Sequence, residues 1–313
     1  MADQPGKTGL RMTMNYAVPT ALSFDESGPL VSWRAGDGGR FSESFHEDTL
    51  RRFRREGGAE ATTSLEALSA SPAEPTALIF HVSRCGSTLV SRMLAALPDA
   101  LAISEAPVLD QILRWPGLAD DDQRIALLRG LTGAWRATQA DPPARLYVKL
   151  DCWHLFHLPL LRRAFPETPM LFLHRDPVEV LVSLMRQPSM TLIRGTVTSE
   201  QLGMGEAARD ALSREEHAAA ILGALFRTAC AHRGQLTGLD YADLPEAVLT
   251  TAPGRPFTAD EQAQMWAAAG RDAKTPEQVF VSDVADKRRA ASPSILAAVA
   301  RWTQPDYRRW TQG

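Results

Sequence analysis

From residue 76 onward the apolar positions fall into two alternating kinds of run. Leu78, Ile79, Phe80 and Val82 are nearly continuous and partly β-branched, which predicts a short strand buried on both faces. Leu89, Val90, Met93, Leu94 and Leu97 then recur at helical spacing. The same alternation continues. It predicts strands at Leu101–Ser104, Arg145–Leu150 and Met170–His174. It predicts helices at Pro107–Trp115, 121–137, Leu155–Phe165 (stopped by Pro166) and Val178–Met185. Strand–helix alternation is the pattern of a parallel sheet with helices on both faces, so the fold class is α/β. Residues 187–212 are mixed, with glycines and a proline, and are expected to form a mobile segment over the site. Ser213 with Glu216, and Thr258 with Glu261, read as capping boxes. The first opens a long helix to about His232, the second a helix closed by Gly270. A short strand at Val279–Ser282 and a last helix from near Pro293 complete the pattern.

The first 70 residues read differently. Residues 1–20 are expected to be a loose tail, and 21–45 short strands around the turn Gly36–Gly39. His46–Arg55 suits a short helix whose basic run is either a solvated face or one that leans over an anionic ligand, and 56–75 is rich in Gly, Ala, Ser and Pro like a linker. The expected organisation is a small N-terminal α+β appendage with linker over 1–70 and one larger domain over 71–313. No internal repeat is visible.

At 313 residues with 44% apolar content, the chain has material for a sizeable core. Its 34 basic and 37 acidic residues give a net charge of −3, which argues against duplex nucleic acid as a partner. Cys85, Cys152 and Cys230 have neither metal-site spacing nor an even count, so a reducing compartment is expected. The N-terminus lacks the apolar core of a signal peptide, and no run approaches the ~18 apolar residues of a membrane span. The expectation is a soluble cytoplasmic protein without a membrane partner.

Two strand–helix junctions carry the chemistry. In the first, Ser83-Arg84-Cys85-Gly86-Ser87-Thr88 links a buried strand to a helix start, where free N–H groups and the helix dipole favour an anion. Gly86 permits close backbone approach. The spacing does not fit G-x-x-x-x-G-K-[ST]: the first glycine would fall at His81 and the lysine at Ser87. In the second, His174-Arg175-Asp176-Pro177 lies at the carboxyl end of a strand, where α/β sheets place ligands, and Ser183 follows eight residues after Arg175. An arginine fork and a hydroxyl together suit a phosphate.

These two segments resemble the phosphate-binding segments of sulfotransferases that use 3′-phosphoadenosine 5′-phosphosulfate (PAPS). In that family a Lys or Arg precedes a Ser-Gly-Thr-Thr-like run; here Arg84 takes the basic position and Cys85 replaces the usual serine. The second segment is similar to the family's R-[ND]-P with a serine eight residues on. Val148-Lys149-Leu150-Asp151, Leu158-Pro159-Leu160-Leu161 and Phe165-Pro166-Glu167 resemble the run between them. Asp240-Tyr241-Ala242-Asp243-Leu244 resembles the tyrosine–acid–leucine segment after the long helix. Lys287 and Arg288 sit where the family's basic C-terminal loop would reach the nucleotide, although the R-K-G pattern is absent. The likeness spans roughly 76–300. It implies the P-loop-type sulfotransferase fold, PAPS as co-substrate, and a hydroxyl or amine on a small molecule or peptide as acceptor, with no metal needed. It implies that Arg84, Cys85, Gly86, Ser87 and Thr88 hold the 5′-phosphate. Arg175 and Ser183 would hold the 3′-phosphate, with Tyr241, Lys287 and Arg288 nearby.

The resemblance leaves two carboxylates for the base. Many cytosolic members use a histidine two residues after the third-strand lysine; from Lys149 that position is Asp151. The branch that includes the tyrosylprotein enzymes uses a glutamate after the first helix, and Glu105, twenty-one residues after Arg84, resembles it. Glu105 is favoured. His81 reads as a satisfied core histidine, and Cys85 as a small loop residue with no partner base. Two rivals stand beside sulfuryl transfer. A kinase-like transferase would need a P-loop lysine and a magnesium-binding acid. A non-catalytic nucleotide- or partner-binding protein fits the cysteine in the loop and the missing histidine.

Overall fold

The computed structural model describes residues 16–270, apart from 27, 40, 119, 252 and 254, and residues 284–313. The expected strand at Val279–Ser282 and most of the N-terminal tail lie outside the described residues. The chain begins with β1 (Val18–Asp25), β2 (Gly28–Arg34), α1 (His46–Arg55), β3 (Glu60–Ser64) and α2 (Leu65–Ser69). The three strands pair antiparallel in the order β1-β2-β3. Two expectations need correction. The hairpin reverses between Asp25 and Gly28, and Gly36–Gly39 follows β2 instead. The 56–75 stretch holds β3 and α2, not a linker. Thr62, Thr63 and Ser64 look like loop residues, but they complete a sheet in which Trp33 Nε1 donates to Thr63 Oγ1 at 2.8 Å.

The rest alternates as the periodicity predicts: β4 (Ala77–His81), α3 (Ser87–Ala95), β5 (Ala100–Ser104), α4 (Pro107–Arg114), α5 (Asp121–Arg136), β6 (Arg145–Lys149), α6 (Leu158–Ala164), β7 (Met170–His174) and α7 (Pro177–Arg186). A 3₁₀ turn, Cys152–His157, joins β6 to α6. Residues 187–212 contain short helices, among them α8 (Ser199–Leu202) and α9 (Glu206–Asp210). Then come α10 (Arg214–Ala231), β8 (Thr237–Asp240), α11 (Glu246–Thr251), α12 (Ala259–Ala269), α13 (Val284–Arg289), α14 (Pro293–Trp302) and α15 (Gln304–Gln312).

The second sheet is wholly parallel, ordered β5-β6-β4-β7-β8 and flanked by helices. Every residue of β4, β6 and β7 is buried, as strands covered on both faces must be. From central β4 the chain first builds one side of the sheet, through β5 and β6, and then the other, through β7 and β8. The crevice at the carboxyl end of β4 is therefore the topological switch point. The N-terminal sheet rests on the same body, with β1 against α4 and α5 and α2 against α5. Glycine permits that last contact: a Cβ on Gly130 would run into the carbonyl oxygen of Leu68. One contiguous buried cluster runs from Val18 and Leu68 through the sheet to Trp310. Among the described residues no helix is long and apolar enough to cross a membrane.

Candidate functional site

The loop after β4 is unusual in its backbone. Ser83, Arg84 and Gly86 have φ of 66°, 51° and 84°, and so curl through the left-handed region into the start of α3. Such a curl gathers N–H groups into a concave anion cradle. Ser83 and Arg84 have side chains, so each costs about 1–3 kcal/mol there and needs its surroundings to hold it. Gly86 needs its hydrogen for a second reason: a Cβ would meet Tyr241 and Leu244, each at 2.9 Å.

The two motifs meet at this loop. Arg84 Nε donates to Ser183 Oγ at 2.8 Å, and its Nη2 donates to Gln187 Oε1 at 2.7 Å. Both partners belong to α7 or its end, the helix opened by Asp176 accepting from Val178 N–H and Glu179 N–H. Arg175 is buried. Its Nε donates to Glu179 Oε2 at 2.8 Å, and its guanidinium lies 3.8 Å from the centre of the Tyr241 ring. Arg288, on α13, donates to the other oxygen of Glu179 at 3.0 Å and to Asp176 at 3.4 Å. Lys287 beside it is buried.

Arg175, Glu179 and Arg288 border a cavity of about 460 Å³, closed on its other sides by Leu89, Tyr241 and Trp266. That size suits a nucleotide, and the apolar walls with a few convergent charges are what such sites need. The Cys85 side chain faces away from a ligand: it is fully buried, and its Sγ donates to the carbonyl of Leu173 at 3.4 Å. Only its backbone is available to an anion.

The candidate bases lie at the ends of β5 and β6. Glu105 Oε1 is 2.9 Å from the Nζ of Lys149 and 3.5 Å from His81 Nε2. Lys149 is fully buried, with its ammonium 4.7 Å from the centre of the Phe45 ring. Burial pushes the Glu105 carboxyl up, but the Lys149 and His81 contacts outweigh it and lower it to about 2. Asp151 has no lysine or arginine ion pair among the described residues, and burial raises it to about 6 although His154 Nε2 lies 3.9 Å away. His154, beside it, is fully buried. Its Nδ1 accepts from Asp151 N–H at 3.2 Å, so the ring proton sits on Nε2, 2.8 Å from Asp110 Oδ1. His154 therefore braces the turn and does not line the cavity.

The two carboxylates should affect stability with opposite signs. Above the ordinary carboxylate range the Glu105 pair stabilises the fold, and that contribution is lost as pH falls from 4.5 through about 2. Asp151 binds its proton more tightly folded than unfolded, so its cost grows as pH rises from about 4 through about 6. Chemical denaturation at pH 8 should find Glu105→Gln less stable and Asp151→Asn more stable, each by about 2–3 kcal/mol. Equal signs would overturn this account of the two environments.

Glu179, Gln187, Trp266 and Phe45 join the site beyond the residues that define the two sequence motifs. Glu179 has a readable signal: it stands in the first turn of α7, four residues after Arg175 at the end of β7. The others come from segments with no local code.

A buried strand enters a left-handed loop, and an arginine cluster stands across a cavity of about 460 Å³ in an α/β protein, an arrangement with the charge and room for an anionic ligand. Residues 75–253, more than half of the chain, match the sequence profile of the Sulfotransferase family, and the chain belongs to that family. Among solved structures it is similar to a sulfotransferase from Alicyclobacillus acidocaldarius, at 17% identity, covering 77% of this chain and 95% of that one, with a TM-score of 0.42. It is also similar to the sulfotransferase domain of the Synechococcus PCC 7002 olefin synthase, at 17% identity and 74% and 94% coverage, TM-score 0.45. No curated protein matches the chain.

Proposed function

We propose that this chain transfers a sulfuryl group from PAPS to a hydroxyl or amine of a small-molecule or peptide acceptor, in a reducing, cytoplasmic setting. The observation that carries the proposal is the bond between Arg84 and Ser183, which brings the two phosphate motifs together beside the cavity lined by Arg175 and Arg288. Arg84 and the backbone of Cys85 to Thr88 would hold the 5′-phosphate. Arg175, Ser183 and Arg288 would hold the 3′-phosphate, with Tyr241 and Trp266 flanking the base and Lys287 adding positive charge. The acceptor oxygen or nitrogen attacks sulfur, the bond from sulfur to the 5′-phosphate oxygen breaks, and the acceptor proton passes to Glu105. Arg84 and Lys149 neutralise the charge that develops on the leaving phosphate. Residues 1–70 act as an accessory unit that lends Phe45 to the wall over Lys149. A second reading gives the proton to Asp151, because its carboxyl, at about 6, is the stronger base in the free protein.

Calorimetric titration tests the donor. The 3′,5′-bisphosphate product should bind about 10–100-fold more tightly than AMP, the worth of charge-assisted contacts to the extra phosphate. Equal affinities would overturn the assignment, and tight magnesium-dependent ATP binding would favour a kinase.

A further inference from the structure

His81 ends β4 and is buried, and the sequence reads it as a satisfied core residue. Only half of it is satisfied. Nδ1 accepts the N–H of Ser83 at 2.9 Å, which leaves Nε2 as the ring's N–H donor. Nε2 makes no hydrogen bond among the described residues and faces Glu105 Oε1 at 3.5 Å. One ring thus touches both strained stretches of the site. Of the four non-glycine residues with left-handed φ among the described residues, three are Ser83, Arg84 and Glu105.

We propose that His81 is a positioning residue that ties the phosphate loop to the Glu105 carboxylate. One nitrogen pins the Ser83 N–H, and so the loop's left-handed turn. The other, with Lys149, engages Oε1 of Glu105 and so leaves Oε2 to receive the acceptor's proton. The 3.5 Å separation is long for a hydrogen bond, as such contacts often are before substrate tightens them. A bulky apolar residue would fill the same core space but make neither link. This role rests on Glu105 being the proton acceptor proposed for the reaction.

The two links can be cut separately. An asparagine amide reaches where Nδ1 lies, and a glutamine amide where Nε2 lies. His81→Asn should keep the Ser83 amide protected from hydrogen exchange and let Glu105 titrate higher, by about one pH unit. His81→Gln should keep Glu105 low and speed Ser83 exchange about fivefold, the effect of one lost neutral hydrogen bond. His81→Leu should do both. The readouts are backbone amide exchange and the carboxyl chemical shift of Glu105, assigned by its loss in Glu105→Gln. If Asn and Gln give the same pattern on both readouts, the two-link role is wrong; should the leucine variant fail to fold, the two amides carry the test. Titration of wild type with the bisphosphate runs alongside. Its failure would remove the PAPS assignment while leaving the crossed pattern of the variants intact.

Discussion

Glu105→Gln should lower turnover by about 10²–10⁴-fold, the usual worth of a positioned general base, while affinity for the bisphosphate nucleotide stays within about twofold. The amide keeps an oxygen for Lys149 and the same shape, so the loss isolates the missing proton acceptor. Asp151→Asn, in contrast, should cost less than about tenfold. The held-down carboxyl of Glu105 does not argue against this role. It is low because Lys149 and His81 surround it in the free protein. A donor phosphosulfate would bring negative charge beside it and share the Lys149 ammonium, and both effects raise a carboxylate's proton affinity. A large loss in Asp151→Asn with an active Glu105→Gln would reverse the assignment. Turnover should then rise with pH through about 6, because only ionised Asp151 accepts a proton.

The second large effect separates two arginines. Arg84→Ala should lower turnover by about 10²–10³-fold, comparable to removing one donor from a charge-stabilising site, with a smaller loss of nucleotide affinity. Its side chain joins the loop to Ser183 and Gln187, where charge would grow on the departing phosphate. Arg175→Ala should instead weaken bisphosphate binding about tenfold and spare turnover at saturation, because its contact is the same in ground and transition states. The affinity loss is kept modest by Glu179, with which an incoming phosphate must share Arg175 and Arg288. Unchanged affinity in Arg175→Ala would reduce the second motif to a helix start.

The sequence by itself determined four of the five strands of the parallel sheet, the two strand–loop–helix junctions and the caps; β8, Thr-Gly-Leu-Asp with a single buried residue, has no apolar run to announce it. β7 spans Met170–His174 as its apolar run predicts, and the boxes Ser213–Glu216 and Thr258–Glu261 form the bonds expected of them. These features are local: a period, a cap or a loop residue acts within a few positions of itself. β3 escaped because its threonines and serine have the composition of a loop, and only pairing with β2 makes them a strand. Tertiary structure decided which side chains meet and what charge they carry. Arg84 reaches Ser183 across 99 positions because parallel order places β4 beside β7. Phe45 comes from outside the family's matched span, so no motif pointed to Lys149 as its neighbour. The contrast between Glu105 and Asp151 was equally invisible. Both are acids at strand ends, and only the Lys149 ammonium beside one and the dry surroundings of the other drive their proton affinities apart.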